Sequence, residues 1–145
     1  MKLMRPSILF TFVVLFITKA LFAQAYNEPE SVVYDAANDR ALVSNKGNSD
    51  IISVPRLNPT NLSIFNTGAA SSMRGITIVG NALWGAGTAN NSPNQNLYSF
   101  DINTGIIIKS IWLASGVFLN DVTADADGMI WVSDDNHDMI YRVNP

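Results

Sequence analysis

The sequence predicts an all-β fold of repeated four-stranded units, of the β-propeller type. Three observations carry this. A triplet of short apolar runs recurs at roughly 45-residue intervals, the period of a propeller blade. The runs are rich in Val, Ile, Tyr, Trp and Phe and bounded by Gly, Asn, Asp and Pro, which favours strands. Beyond the leader, no window holds a sustained 3.6-residue apolar period.

The first predicted strand of each unit is Val32-Val33-Tyr34, then Ile76-Thr77-Ile78, then Val122-Thr123-Ala124. The second is Ala41 to Asn45, then Ala82 to Ala86, then Ile130 to Asp134. This pairing sets Val43, Trp84 and Val132 in matching places. The third is Ile51 to Val54, then Leu97 to Phe100, then Ile140 to Val143. A fourth strand, Leu62 to Phe65 and Ile106 to Leu113, completes the first two units. Lengths differ at the turn residues Asn38-Asp39, Gly80-Asn81 and Asp127-Gly128, as expected when strands share a core and turns do not. Asp127-Gly128 reads as a two-residue hairpin turn, with Gly supplying positive φ. Asp134 to Asp138 reads as a solvated turn, and Trp84, Trp112 and Trp131 as core packing.

The predicted units span about 29–68, 73–115 and 119–145, so the third stops after its third strand. Closed propellers take about four to eight blades. Three readings follow: the sequence is a piece of a longer product, it joins copies of itself or another chain to complete a ring, or its sheets adopt another topology.

Ahead of the repeats, Lys2 and Arg5 precede an apolar run from Ile8 to Ile17 and a small-x-small Ala23-Gln24-Ala25. Residues 1–25 read as a secretory signal peptide cleaved before Tyr26, directing a secreted or periplasmic product. The competing reading, a membrane anchor, has too short an apolar run for the ~20 residues a span needs, and Lys19 interrupts it. No membrane association is expected after cleavage.

The chain has 145 residues, a net charge of −3 and no cysteine. That balance argues against nucleic acid as a partner. It also removes disulfides, a cysteine nucleophile and a lipid-bearing N-terminal cysteine. There is no G-x-S-x-G elbow and no H-E-x-x-H. Gly85-Ala86-Gly87 lacks the helix and lysine of a phosphate loop, and Asp125-Ala126-Asp127-Gly128 lacks the later ligands of an EF-hand. His137, the only histidine, sits in a turn without an evident Ser or Cys partner. Thr88 to Gln95 reads as a long polar loop.

Asn120-Asp121-Val122, then Asp127-Gly128, then Ile130 to Asp134 resembles the blade cadence of the senescence-marker-protein/gluconolactonase family. It is similar also to NHL-repeat and strictosidine-synthase-like propellers. Glu30 to Asp35 is similar to the opening of that family's first blade. The resemblance implies a divalent cation, usually calcium, at the mouth of a central channel. By position, Glu30 matches the first-blade metal ligand and Asn120 the substrate-contacting Asn, and Asp121 is the neighbouring carboxylate for catalysis. The implied activity is hydrolysis of a lactone or ester, with a small lactone or carbohydrate as partner. The family's later Asn and Asp ligands have no counterpart in these units. The alternative is a non-catalytic module that binds protein or carbohydrate, or an inactive fragment.

Overall fold

In the computed structural model, which describes residues 26–88 and 95–145, the apolar runs become eleven strands in three antiparallel sheets. Sheet 1 holds β1 (Pro29–Asp35), β2 (Arg40–Asn45), β3 (Ile51–Pro55) and β4 (Ser63–Asn66) in sequence order. Sheet 2 holds β5 (Ser72–Val79), β6 (Ala82–Thr88), β7 (Gln95–Asp101) and β8 (Ile107–Trp112). Sheet 3 holds β9 (Leu119–Ala124), β10 (Ile130–Asp134) and β11 (Met139–Val143). The proposed signal peptide, residues 1–25, and residues 89–94 of the polar loop lie outside the described residues. Among the described residues no helix is long and apolar enough to cross a membrane.

Each sheet is a meander, since short turns can join only neighbouring antiparallel strands. The first strands lie side by side, with β5 in contact with both β1 and β9. Side chains alternate between the two faces of a strand, so one sheet can serve two cores. Leu83 and Phe100 of sheet 2 pack with Leu42 and Ile51 of sheet 1. Trp84, Ala86 and Leu97, on the other face, pack with Val122, Ile130 and Val132 of sheet 3. Sheet 1 is also clamped to sheet 2 by Arg40. Its guanidinium pairs with Asp35 at 2.9 Å, donates to the Ile102 carbonyl and lies over the Phe65 ring.

The register gives the true correspondence between units. Val32 faces Val43, Ile76 faces Gly85 and Val122 faces Val132. Val32, Ile76 and Val122 therefore occupy matching places. The second strand of the middle unit, however, is one residue out of the sequence alignment. Gly85, not Trp84, matches Val43 and Val132, and Trp84 matches Trp131 and Leu42. The space a side chain would fill at Gly85 is taken by Met73 and Ile76.

Three further expectations are corrected. Trp84 is buried, but Trp112 is 57 % exposed because β8 is the outermost strand of sheet 2. The turn after β9 spans five residues, 125–129, rather than two. It folds around the Asp125 carboxylate, whose Oδ1 accepts the N–H groups of Asp127 and Met129 and whose Oδ2 accepts Trp131 Nε1–H. Gly128 does take the expected positive φ, 80°. Gln95 opens β7 rather than ending a loop, and its buried Oε1 accepts the Leu119 N–H of sheet 3.

Candidate functional site

Each first strand contains an irregularity at the same place, opposite the end of the second strand. In sheet 1 the register passes from Pro29–Asn45 to Ser31–Ser44, leaving Glu30 extra. In sheet 2 it passes from Met73–Gly87 to Ile76–Gly85, so Arg74 and Gly75 oppose Ala86 alone. In sheet 3 it passes from Leu119–Asp134 to Val122–Val132, so Asn120 and Asp121 oppose Ser133. A bulge of this kind bends the strand and re-aims its side chains. Three neighbouring strands bulge together, and polar residues occupy each bulge.

The result is an open concavity of about 260 Å³ lined by Glu30, Ser31, Gly75, Asn120 and Asp121. All three residues singled out in the sequence thus meet in one place, from the first and third sheets. Gly75 makes the meeting possible. A Cβ there would collide with Asp121 Oδ1 and with the backbone of Asp121 and Val122. Only a residue without a side chain lets β5 and β9 approach this closely.

A ladder of serines fixes the backbone below the concavity. Ser44 Oγ accepts the Ser31 N–H at 3.1 Å and donates to the Arg74 carbonyl at 2.6 Å. Ser133 Oγ accepts the Asp121 N–H at 3.0 Å, the same contact two units later. Ser31 Oγ in turn accepts the Ile76 N–H at 3.4 Å. The Asp121 carboxylate bonds its neighbour's backbone, Oδ1 accepting the Val122 N–H at 2.8 Å. Glu30 is half-exposed and lies 3.9 Å from Lys46 Nζ, which also pairs with Glu28 at 3.2 Å.

Arg74 escaped the sequence reading. It stands at the bulge position matching Glu30 and Asn120, its guanidinium lies 4.3 Å from the Phe118 ring centroid, and its Nε is buried without a hydrogen-bond partner. No motif marks it. Counting two residues back from Ile76, as Asn120 lies two back from Val122, would have found it.

The donor set bears on the implied cation. Glu30 and Asp121 offer carboxylates, Asn120 an amide carbonyl and Ser31 a hydroxyl, all hard oxygens suited to calcium. Among the described residues there is no cluster of three or more His, Cys, Asp or Glu side chains that could hold a metal. These are the donor types that calcium takes, but the two carboxylates fall short of such a cluster.

The acidic turn has a different character from the solvated one expected. Asp134 is 1 % exposed. Its Oδ1 accepts the Phe118 N–H at 2.8 Å and the Asn136 N–H at 3.1 Å, and its Oδ2 lies 2.7 Å from His137 Nδ1. Burial pushes its pKa up, but these partners outweigh burial and hold the carboxyl below its ordinary value. The Asp134–His137 pair is thus a turn cap at the sheet's end, with no nucleophile bonded to the imidazole among the described contacts. Compared with known proteins, the chain matches no family model and no curated protein.

Proposed function

We propose that this chain is an exported propeller-type module of the gluconolactonase-like kind. Its inner mouth binds a small polar ligand, a lactone or carbohydrate, together with calcium. The observation that carries the reading is the convergence of Glu30, Asn120 and Asp121 on one concavity at matching bulges. The propeller reading is supported by three successive meanders with adjacent first strands, each sheet shared between two cores or open at an end.

In this reading Glu30 holds the cation and Asn120 orients the substrate through its amide. Bound calcium supplies Lewis acidity, polarising a carbonyl and acidifying water. Asp121 receives the proton of the attacking water, a role open to a carboxylate in reach of the substrate. Gly75 lets β5 and β9 approach closely enough for Asn120 and Asp121 to line the same concavity as Glu30.

Calorimetric titration of the purified chain with calcium tests this, with Glu30→Gln and Asn120→Ala beside it. Calcium binding weakened by Glu30→Gln is expected. No binding, or binding indifferent to that substitution, defeats the metal assignment. A lactone-hydrolysis assay with Asp121→Asn then separates the two forms of the reading. Calcium binding with no hydrolysis selects the second form, binding without turnover.

A further inference from the structure

The three bulges set an acid, a base and an amide at one level of the fold. These are Glu30, Arg74 and Asn120, each two residues before the matched Val32, Ile76 and Val122. β5 contacts both β1 and β9, so Arg74 stands on the strand between the other two. Its chain neighbour Gly75 lines the concavity together with Glu30 and Asn120. The acid and the amide have roles in the proposed function. The base has none there.

Arg74 is also the one arginine among the described residues without an acid beside it. Arg40 pairs with Asp35, Arg56 with Asp39 and Arg142 with Asp125. The Arg74 guanidinium is held instead by the Phe118 ring, whose centroid lies 4.3 Å away. Such stacking uses the flat face of the guanidinium and leaves its N–H groups, which point outward in the plane, unengaged. Nε is sealed from solvent without a partner, whereas the two terminal nitrogens are not sealed. A positive charge is therefore fixed beside the mouth, its orientation set by a ring and its terminal fork open.

We propose that this fork binds the carboxylate of an acidic saccharide, a uronic or aldonic acid, while the hydroxyl-bearing part of the same molecule lies in the concavity. A guanidinium fork matches a carboxylate through two parallel N–H···O bonds. Hydroxyls suit the rest of the lining: Glu30 and Asp121 accept from them, and Asn120 and Ser31 both donate and accept. Two carboxylates at the mouth oppose a multiply charged anion, and one guanidinium balances one negative charge, so a carboxylate fits better than a phosphate. This rests on the reading of the concavity as a small-ligand site and narrows that ligand to an acid.

Calorimetric titration of the purified chain, with and without calcium, tests it. The probes are galacturonate and glucuronate, their neutral counterparts galactose and glucose, and acetate as the bare anion. At least one uronate should bind about tenfold more tightly than its neutral sugar and than acetate, the ratio expected of a charge-assisted pair. Arg74→Gln should abolish that preference. Arg74→Lys, which keeps the charge but not the fork, should restore part of it. Thermal melts check that the variants fold, and Phe118→Leu, which leaves the arginine without its ring, gives a second route: uronate binding should weaken and neutral-sugar binding should not. Equal affinity for acid and neutral sugar overturns the inference. So does acetate binding as tightly as the uronates, no uronate binding, or a preference that survives Arg74→Gln. Failure of the metal assignment looks different: calcium fails to bind the sugar-free chain, or binds regardless of Glu30→Gln, while the uronate preference still depends on Arg74 and this inference stands.

Discussion

Asn45 and Asp134 stand at the same place in two different sheets and perform the same task. Each ends a second strand, each is buried, and each uses Oδ1 to accept an N–H from the segment entering its sheet, Asn27 for one and Phe118 for the other. Replacing Asp134 by Ala leaves the Phe118 and Asn136 donors without this acceptor. Losing a buried partner costs about 1–3 kcal/mol. Asp134→Asn, which keeps a carbonyl oxygen, should cost less. Urea denaturation of both variants gives the order.

Acid should unfold the protein through its turn carboxylates. At Asp35, burial raises the pKa, but Asn38 and Arg40 outweigh it and hold the group below its ordinary value of 3.8; Asp134 behaves likewise. A carboxylate with a depressed folded pKa stabilises the fold fully above its unfolded value. That stabilisation disappears as pH falls through the folded value. Melting temperature should therefore stay level on this account down to about pH 4 and fall below it. Asp35→Asn should flatten the acid limb, as thermal melts across the range would show.

Gly75→Ala should be far more damaging than a surface glycine substitution. The added methyl meets backbone of β9, which cannot swing aside as a flexible side chain can. Overpacking of this kind costs about 1–3 kcal/mol. The same substitution should also weaken calcium binding in the titration, because it pushes Asp121 away from Glu30.

Lys46→Met should act in the opposite direction on the mouth. The ammonium sits 3.9 Å from Glu30 and competes with a cation for that carboxylate. Exposed ion pairs are worth about 0.2–1 kcal/mol, so the calcium affinity should rise by up to about fivefold. Unchanged or weaker binding in the calorimeter would remove Glu30 from the site.

Core and rim should separate cleanly under truncation. Ile130, fully buried between sheets 2 and 3, should lose about 2–5 kcal/mol as Ile130→Ala. Ile108, 54 % exposed on the outermost strand, should change stability by no more than about 0.5 kcal/mol as Ile108→Ala. Denaturant midpoints at constant m-value report both.

The strands were legible in the sequence because they alternate, repeat and end at turn residues. Val32, Ile76 and Val122 marked true equivalents, since each follows its bulge at the same distance. The middle unit misled by one residue because Gly85 offers no side chain to align, while Trp84 looks like a Val43 equivalent by bulk alone. Trp112 was misplaced for a related reason. Hydrophobicity says that a residue can be buried, but only sheet order says that its strand is outermost. Within the site, Glu30, Asn120 and Asp121 were found through a resemblance, whereas Gly75 and Arg74 depend on strand register, which residue type does not encode. The change of the turn after β9 from two residues to five follows from the carboxylate of Asp125, which draws the chain around itself.

Both interior clusters are built on sheet 2, one on each of its sides, and the two share no buried residue. During synthesis, sheet 1 can complete its own hydrogen bonds once Asn66 has emerged, yet Leu42 and Ile51 wait uncovered until Leu83 and Phe100 follow. The nascent chain therefore passes through an interval in which a finished sheet presents greasy surface to the surrounding medium, and chaperone engagement in that interval would end when the middle sheet docks.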